Sequence, residues 1–275
     1  MSALPLRASV WKAVILALLA AIPAAAQWLA YPTAGVPKEP DGSPNLSAPP
    51  PRMPDGTPDL SGIWTMMCPT GKGLVMCLPE IYVSREFADI GRTLDGGLPY
   101  QPWAADAVKA RRAQNGKDDP FTHCLPGTPA RIHTVPFLRK IVQTRGLLLF
   151  LSEANASYRQ IFTDGRALPE DPNPSWNGYS IGHWDGDTLV VETNGFRDGQ
   201  WLDRWGSPLT GEARMTEKFR RVSFGTLEIE LTVNDPKAYT KPWTVRLSQS
   251  IAPNTELLDW ICLENEKDFP HLVGK

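Results

Sequence analysis

Residues 215–234 read MTEKFRRVSFGTLEIELTVN, and this stretch decides the fold class. In its second half Leu227, Ile229, Leu231 and Val233 alternate with Glu228, Glu230 and Thr232. A period of two sets one face of a strand against a core and the other toward water. The first half, Met215–Ser223, reads as a second strand, and Phe224-Gly225 joins the two.

The same grammar continues outward in both directions. Upstream, Gly178–Trp184 and Thr188–Thr193 flank Asp185-Gly186, the strongest hairpin signal in the chain. Lys140–Thr144 and Leu147–Glu153 form a hairpin about Arg145-Gly146, and Ser157–Thr163 ends at the turn Asp164-Gly165. Downstream, Trp243, Val245 and Leu247 alternate with Thr244, Arg246 and Ser248, and Glu256–Glu264 is expected as a last strand. One helix is expected at Ala104–Gln114, rich in helix formers and stopped by Asn115-Gly116. Strands joined by tight turns lack the crossovers that parallel pairing needs, so the domain is expected to be all-β and mainly antiparallel. About eight or nine such strands avoid exposed edges by closing into a single meander barrel with one short helix; a two-sheet sandwich is the alternative.

The termini of this region set the organisation of the 275 residues. Residues 1–26 have the parts of a cleavable signal peptide: Arg7 and Lys12, an apolar run from Ala13 to Ala21, and Ala24-Ala25-Ala26 before Gln27. That run is too short to span a bilayer stably, and no other segment is long and apolar enough, so no membrane span is expected in the mature chain. Its removal takes away two basic and no acidic residues, moving the formal charge from −2 to −4. That balance gives no footprint for nucleic acid or an anionic membrane surface. Residues 27–58 read as a Pro-rich arm or linker, carrying a short duplication, EPDGSPNLS (39–47) and MPDGTPDLS (53–61). Residues 59–275 are the barrel domain, and 42% apolar residues with 10 Trp are ample for its core.

Four cysteines in an exported chain read first as disulfides. They allow three pairings; the favoured one joins Cys68 to Cys77 over a short loop and Cys124 to Cys262 between distant segments. The protein is then expected to work in the periplasm or after secretion.

Chemistry is harder to place. No phosphate loop, nucleophile elbow or zinc-protease helix occurs, so no cofactor is expected. His183, Asp185 and Asp187 have metal-like spacing but fall on a hairpin turn, where Asp serves conformation, and no metal site is assigned there. HCLPGTPARIH, His123 to His133, reads as an irregular loop that gathers His123, Arg131 and His133. Arg131, Arg159, Arg166 and Arg204 can present guanidinium forks to a carboxylate ligand. Asp164, Asp187, Glu192 and Glu217 are acid/base groups or the ion partners of those arginines. Trp176, Trp184, Trp201, Trp205 and Trp243 can line an apolar cavity or fill the barrel.

Gly62-Ile63-Trp64 resembles the G-x-W element of the first strand in lipocalin-like (calycin) barrels. That resemblance implies a Trp packed across one barrel end against an Arg from a late strand, for which Arg246 is the candidate. A broader resemblance runs from Pro54 to Asn265 through PDGTPDLSGIW, CLPGTPAR, WDGDTLVVETNGF, DPKAYTKPW and CLEN. It is to an uncharacterised family of exported bacterial proteins. It implies export and a single domain, supplies no mechanism, and adds weight to the Cys124–Cys262 pairing.

The leading expectation is therefore an exported barrel that binds a small, largely apolar molecule, possessing Arg131, Arg159, Arg204, Trp184 and Trp201 as ligand-binding candidates. The alternative is a periplasmic hydrolase, isomerase or lyase with His133, Asp187 or Glu192 as proton-transfer groups. Convergence of a His and a carboxylate on a cavity favours the enzyme. A solid interior favours an interaction module using the Pro-rich arm.

Overall fold

Nine strands close into one barrel in the order β1-β13-β12-β11-β8-β7-β6-β5-β4, and β4 returns to β1. They are β1 (Gly62–Thr65), β4 (Arg139–Thr144), β5 (Leu147–Ser152), β6 (Ser157–Phe162), β7 (Tyr179–Asp185), β8 (Thr188–Asn194), β11 (Arg214–Ser223), β12 (Thr226–Asn234) and β13 (Trp243–Ile251). Two small two-stranded sheets stand outside the barrel: β2 (Cys68–Thr70) with β3 (Gly73–Val75), and β9 (Gln200–Trp201) with β10 (Pro208–Leu209). Three helices, α1 (Arg85–Ala88), α2 (Pro102–Ala113) and α3 (Pro129–Thr134), complete the described elements. This computed structural model describes residues 31–66, 68–70, 73–75 and 85–264. The chain divides into two compact units, Met1–Pro32 and Thr33–Lys275, and the described residues fall almost wholly in the second. The expected signal segment, residues 1–26, and Cys77 lie outside the described residues.

An odd ring forces one departure from the expected antiparallel meander. Directions can alternate all the way around only when the strand number is even, so nine strands require one parallel neighbour pair. That pair is β6–β7, joined through Ile161↔Ser180 and Phe162↔Ile181 alone. The connection, residues 163–178, has Pro169, Pro172 and Pro174. It is the long crossover that parallel pairing needs. It re-enters the barrel through Gly178, whose φ of +65° and approach to the Asn194 carbonyl (2.5 Å from an added Cβ) exclude a side chain.

Two further expectations are corrected. Residues 256–264 form no strand; the ring is closed instead by β1, paired with both β13 and β4. The segment from Thr128 is not irregular: Thr128 caps α3 by accepting from Arg131 N (3.1 Å), and Pro129 opens the helix. The longer helix, α2, runs slightly earlier than expected because Pro102 suits a first helical position.

Alternation puts Met215, Glu217, Phe219 and Arg221 of β11 inside, with Leu227, Ile229, Leu231 and Val233 of β12. One core cluster centres on Trp64, Phe150 and Phe219, the other on Phe196, Tyr239 and Trp243. Outward faces of β11–β13 carry Lys218, Glu230 and Arg246 in ion pairs at 3.2 Å. No helix among the described residues is long and apolar enough to cross a membrane.

The duplicated arm closes one barrel end. In both copies an Asx turn is made: Ser43 N and Oγ donate to Asp41, and Thr57 N and Oγ1 donate to Asp55. Asn45 N to Pro37 O and Asp59 N to Pro51 O repeat the same bridge. The first copy lays Leu46 and Ala48 on the β11–β12 turn, where Gly225 N donates to Leu46 O and Phe224 N to Ala48 O. The second leads into β1 and brings Arg52 onto Asp187 at the β7–β8 turn. Trp64 lies beneath, with Arg221 4.9 Å over its ring. Arg246, the expected partner, is on the outer face with Glu230. Its parity in β13 is that of Thr244 and Ser248, whereas Arg221 shares parity with Phe219.

At the other end Cys124 and Cys262 form the expected disulfide, with Cα atoms 5.4 Å apart. It fastens the 252–264 segment beside the β5–β6 turn, where Asn155 N donates to Trp260 O and Cys262 N to Asn155 Oδ1.

Candidate functional site

Several barrel strands carry a polar residue in phase with their core residues. Arg139 precedes Ile141 in β4, Arg159 precedes Ile161 in β6, and Glu217 stands between Met215 and Phe219 in β11. Ser180, Thr193 and Gln249 do the same in β7, β8 and β13. In-phase polar residues must point inward, and the result is a buried polar belt between the two apolar clusters. From one end α3 adds His133, which is 2% exposed.

Glu217, fully buried, is the centre. Its Oε1 accepts from Arg159 Nη1 at 3.0 Å and meets His133 Nε2 at 2.7 Å; its Oε2 accepts from Arg159 Nη2. Arg159 also donates to Ser180 Oγ (3.1 Å) and Thr193 Oγ1 (2.9 Å). Burial pushes the Glu217 carboxyl up, but Arg159 and His133 outweigh it and hold its pKa below the ordinary value. Burial is the largest influence on His133 and lowers its pKa despite Glu217. A neutral His133 donating Nε2–H to Glu217 leaves Nδ1 to accept from Gln249 Nε2, 3.4 Å away. Both ring nitrogens are thereby engaged.

Arg139 is different. It is 1% exposed, Nη1 donates to the Ile132 carbonyl, and Nη2 is buried with no hydrogen-bond partner among the described residues. Burial pulls its pKa down to about 9. Taken together the belt holds Arg159 against Glu217, a neutral His133, and one further buried positive charge.

The belt reaches the surface where β6 and β7 part. Below their two paired residues, Ser157–Gln160 and Ser175–Gly178 separate and leave a cleft of about 510 Å³. Tyr158, Phe162, Trp176 and Tyr179 form its aromatic walls, and Arg159 with Ser180 lies at its floor. A recess of about 20 Å³, lined by His133, Arg139, Ser152 and Arg159, shares Ser157, Tyr158, Arg159 and Asn177 with the cleft. A hollow of about 540 Å³ also occurs on the outer face of β11–β13. It is lined by the mutually paired Lys218, Glu230 and Arg246 with Arg220, Ile229 and Leu247, and it has no aromatic wall and no buried polar floor.

Of the residues singled out in the sequence, His133 and Arg159 meet in this belt, and Glu217 is the ion partner of Arg159. Asp187 and Glu192 are not brought to His133: Asp187 is bound to Arg52 at an exposed turn, and Glu192 faces outward on β8. Arg131 is buried elsewhere, bidentate to Asp119 at 2.7 and 2.5 Å and flanked by Phe87 and Phe121. Trp201 is buried beneath Arg111, Trp184 packs half-buried on the barrel core, and Arg204 is exposed. Thus Arg131, Arg204, Trp184 and Trp201 do not line the cleft, whereas Trp176 does. Arg139 was missed because the expected strand began one residue later, at Lys140; its phase with Ile141 was the available signal. No family model, curated protein or solved structure matches the chain.

Proposed function

We propose that the protein is an exported β-barrel that binds a small, largely apolar molecule in the cleft between β6 and β7. The observation that carries this is the cleft itself: about 510 Å³, walled by Tyr158, Phe162, Trp176 and Tyr179 over a polar floor. Binding sites for small molecules have this size and this mix of apolar wall and few polar groups. Export is supported by the Cys124–Cys262 disulfide, a bond that persists in oxidising compartments. The enzyme alternative draws on the His133–Glu217 contact, but both nitrogens of His133 and both oxygens of Glu217 are already engaged. Proton transfer to a substrate would first have to break that set.

Titration of the protein with 2-naphthalenemethanol, followed by amide NMR, tests the reading. Shifts are expected to concentrate at residues 157–162 and 175–180, and Trp176→Ala is expected to weaken binding at least fivefold. Binding on the outer face near Arg246, or none at millimolar ligand, would contradict it.

A further inference from the structure

The geometry points to Arg139 as the receptor for a carboxylate carried by the cleft's ligand. This rests on the cleft being the binding site and assigns the chemical class of what enters it.

An unpaired charge in a barrel interior is costly, and a folded chain ordinarily supplies its partner. The other buried arginines obey this. Arg131 has Asp119, which offsets its charge although its Nε has no acceptor, and Arg159 has Glu217. Arg221 has no carboxylate either, yet each of its nitrogens donates to a carbonyl, of Phe224, Asp59 or Ser61. Lack of a carboxylate is therefore not by itself a signal. In Arg139 the nitrogen Nη2 has no acceptor, and no ion pair to Arg139 occurs among the described residues. That nitrogen belongs to a side chain lining the recess, and the recess lies next to the aromatic cleft, with Ser157, Tyr158, Arg159 and Asn177 lining both.

Charge and shape then choose the ligand group. The belt carries one uncompensated positive charge, so the complementary group is an anion. A recess of about 20 Å³ has room for about one oxygen atom, so a flat carboxylate can place one oxygen inside and keep the other at the mouth, whereas a tetrahedral group of four is too bulky. Guanidinium and carboxylate are matched in plane and in charge. With the carboxylate at Arg139, the remainder of the molecule lies between Tyr158 and Trp176. The ligand class is a small aromatic or aliphatic carboxylic acid.

Three probes separate the possible outcomes: 2-naphthoate, the neutral 2-naphthalenemethanol, and acetate, each titrated calorimetrically. Naphthoate is expected to bind at least tenfold tighter than either of the others. Arg139→Gln is expected to bring naphthoate down to the level of the alcohol, to leave the alcohol within twofold, and to melt no lower than the unaltered protein. Arg139→Lys should restore part of the preference. If Arg139→Gln fails to fold, the guanidinium NMR signal of Arg139 in the unaltered protein must still shift on adding naphthoate. Equal affinity for naphthoate and the alcohol would overturn this inference and leave the cleft reading intact. Acetate binding as tightly as naphthoate would overturn it in favour of a bare anion site. Binding of none of the three would remove the cleft reading as well.

Discussion

At the residue scale the barrel depends on how one carboxylate distributes its oxygens. Glu217 is fully buried and holds Arg159, itself 6% exposed. Glu217→Gln leaves that guanidinium without a counter-charge and is expected to cost about 3–5 kcal/mol in urea unfolding. The Arg159→Met, Glu217→Leu pair removes both charges and should recover most of that loss. His133 makes a pH prediction. Its pKa is lowered in the fold by burial, so the unfolded chain takes up a proton that the native state refuses. Stability from this group is present above its ordinary value of about 6.5 and falls by about 1–2 kcal/mol toward pH 5. Asp203 opposes it, since burial raises that carboxyl to about 6 and favours the native state as pH falls through the same window. The effect is therefore read as the difference between unaltered protein and His133→Gln in urea melts at pH 7.5 and 5.0. Equal differences at both values would contradict a neutral, buried His133.

Legibility at this scale followed strand phase. Glu217 could be read as inward because it is in phase with Met215 and Phe219, and Arg159 because it is in phase with Ile161; the pairing of an Arg with one of four named acids was open from the sequence. Asp187 and Glu192 lie away from His133 for the same physical reason in reverse: one sits on a turn, and the other lies out of phase with Leu189 and Val191. What no phase argument can supply is which inward groups share one level of the barrel. Shear between strands sets that, and so the orphaned nitrogen of Arg139 was invisible.

At the element scale, parity explains more than any propensity. Once the strand count is nine, one pair has to be parallel, and its long connection is the reason a cleft exists. The duplicated arm is the second device at this scale, with two copies of one Asx turn covering the same barrel end. The first copy depends on Gly225, where an added Cβ would stand 2.6 Å from Leu46 Cβ and 2.9 Å from its carbonyl oxygen. Gly225→Ala is expected to lift residues 36–48, lowering stability by about 1–3 kcal/mol. Limited proteolysis should then cut within that segment much faster than in the unaltered chain. Unchanged protection would show that the arm does not depend on this contact. The composition of the arm announced turns, but nothing in its prolines said which surface it covers.

At the scale of the whole molecule, the two ends of the barrel are closed by different means. Turns and a duplicated arm cover one; α3 and the disulfide-fastened C-terminal segment serve the other. Cys124 and Cys262 are 138 residues apart in sequence. A cross-link over so long a loop contributes about 5 kcal/mol in the chain-entropy model. Cys124→Ser with Cys262→Ser should therefore lower the melting temperature clearly in non-reducing buffer, and a reductant should lower that of the unaltered protein. No change in either would mean that the tail is held by its non-covalent contacts, among them the hydrogen bonds of residues 258–262 with Glu153 and Asn155 and the Phe137–Trp260 ring pair.

The parting of β6 and β7, read as a binding site, has a buried cation at its inner end. A crystal structure of the protein grown with 2-naphthoate tests it most directly. The ring system is expected between Tyr158 and Trp176 with its carboxylate on Arg139 Nη2. An empty cleft, or naphthoate held on the outer face by Arg246 while Arg139 stays unpaired, would contradict it.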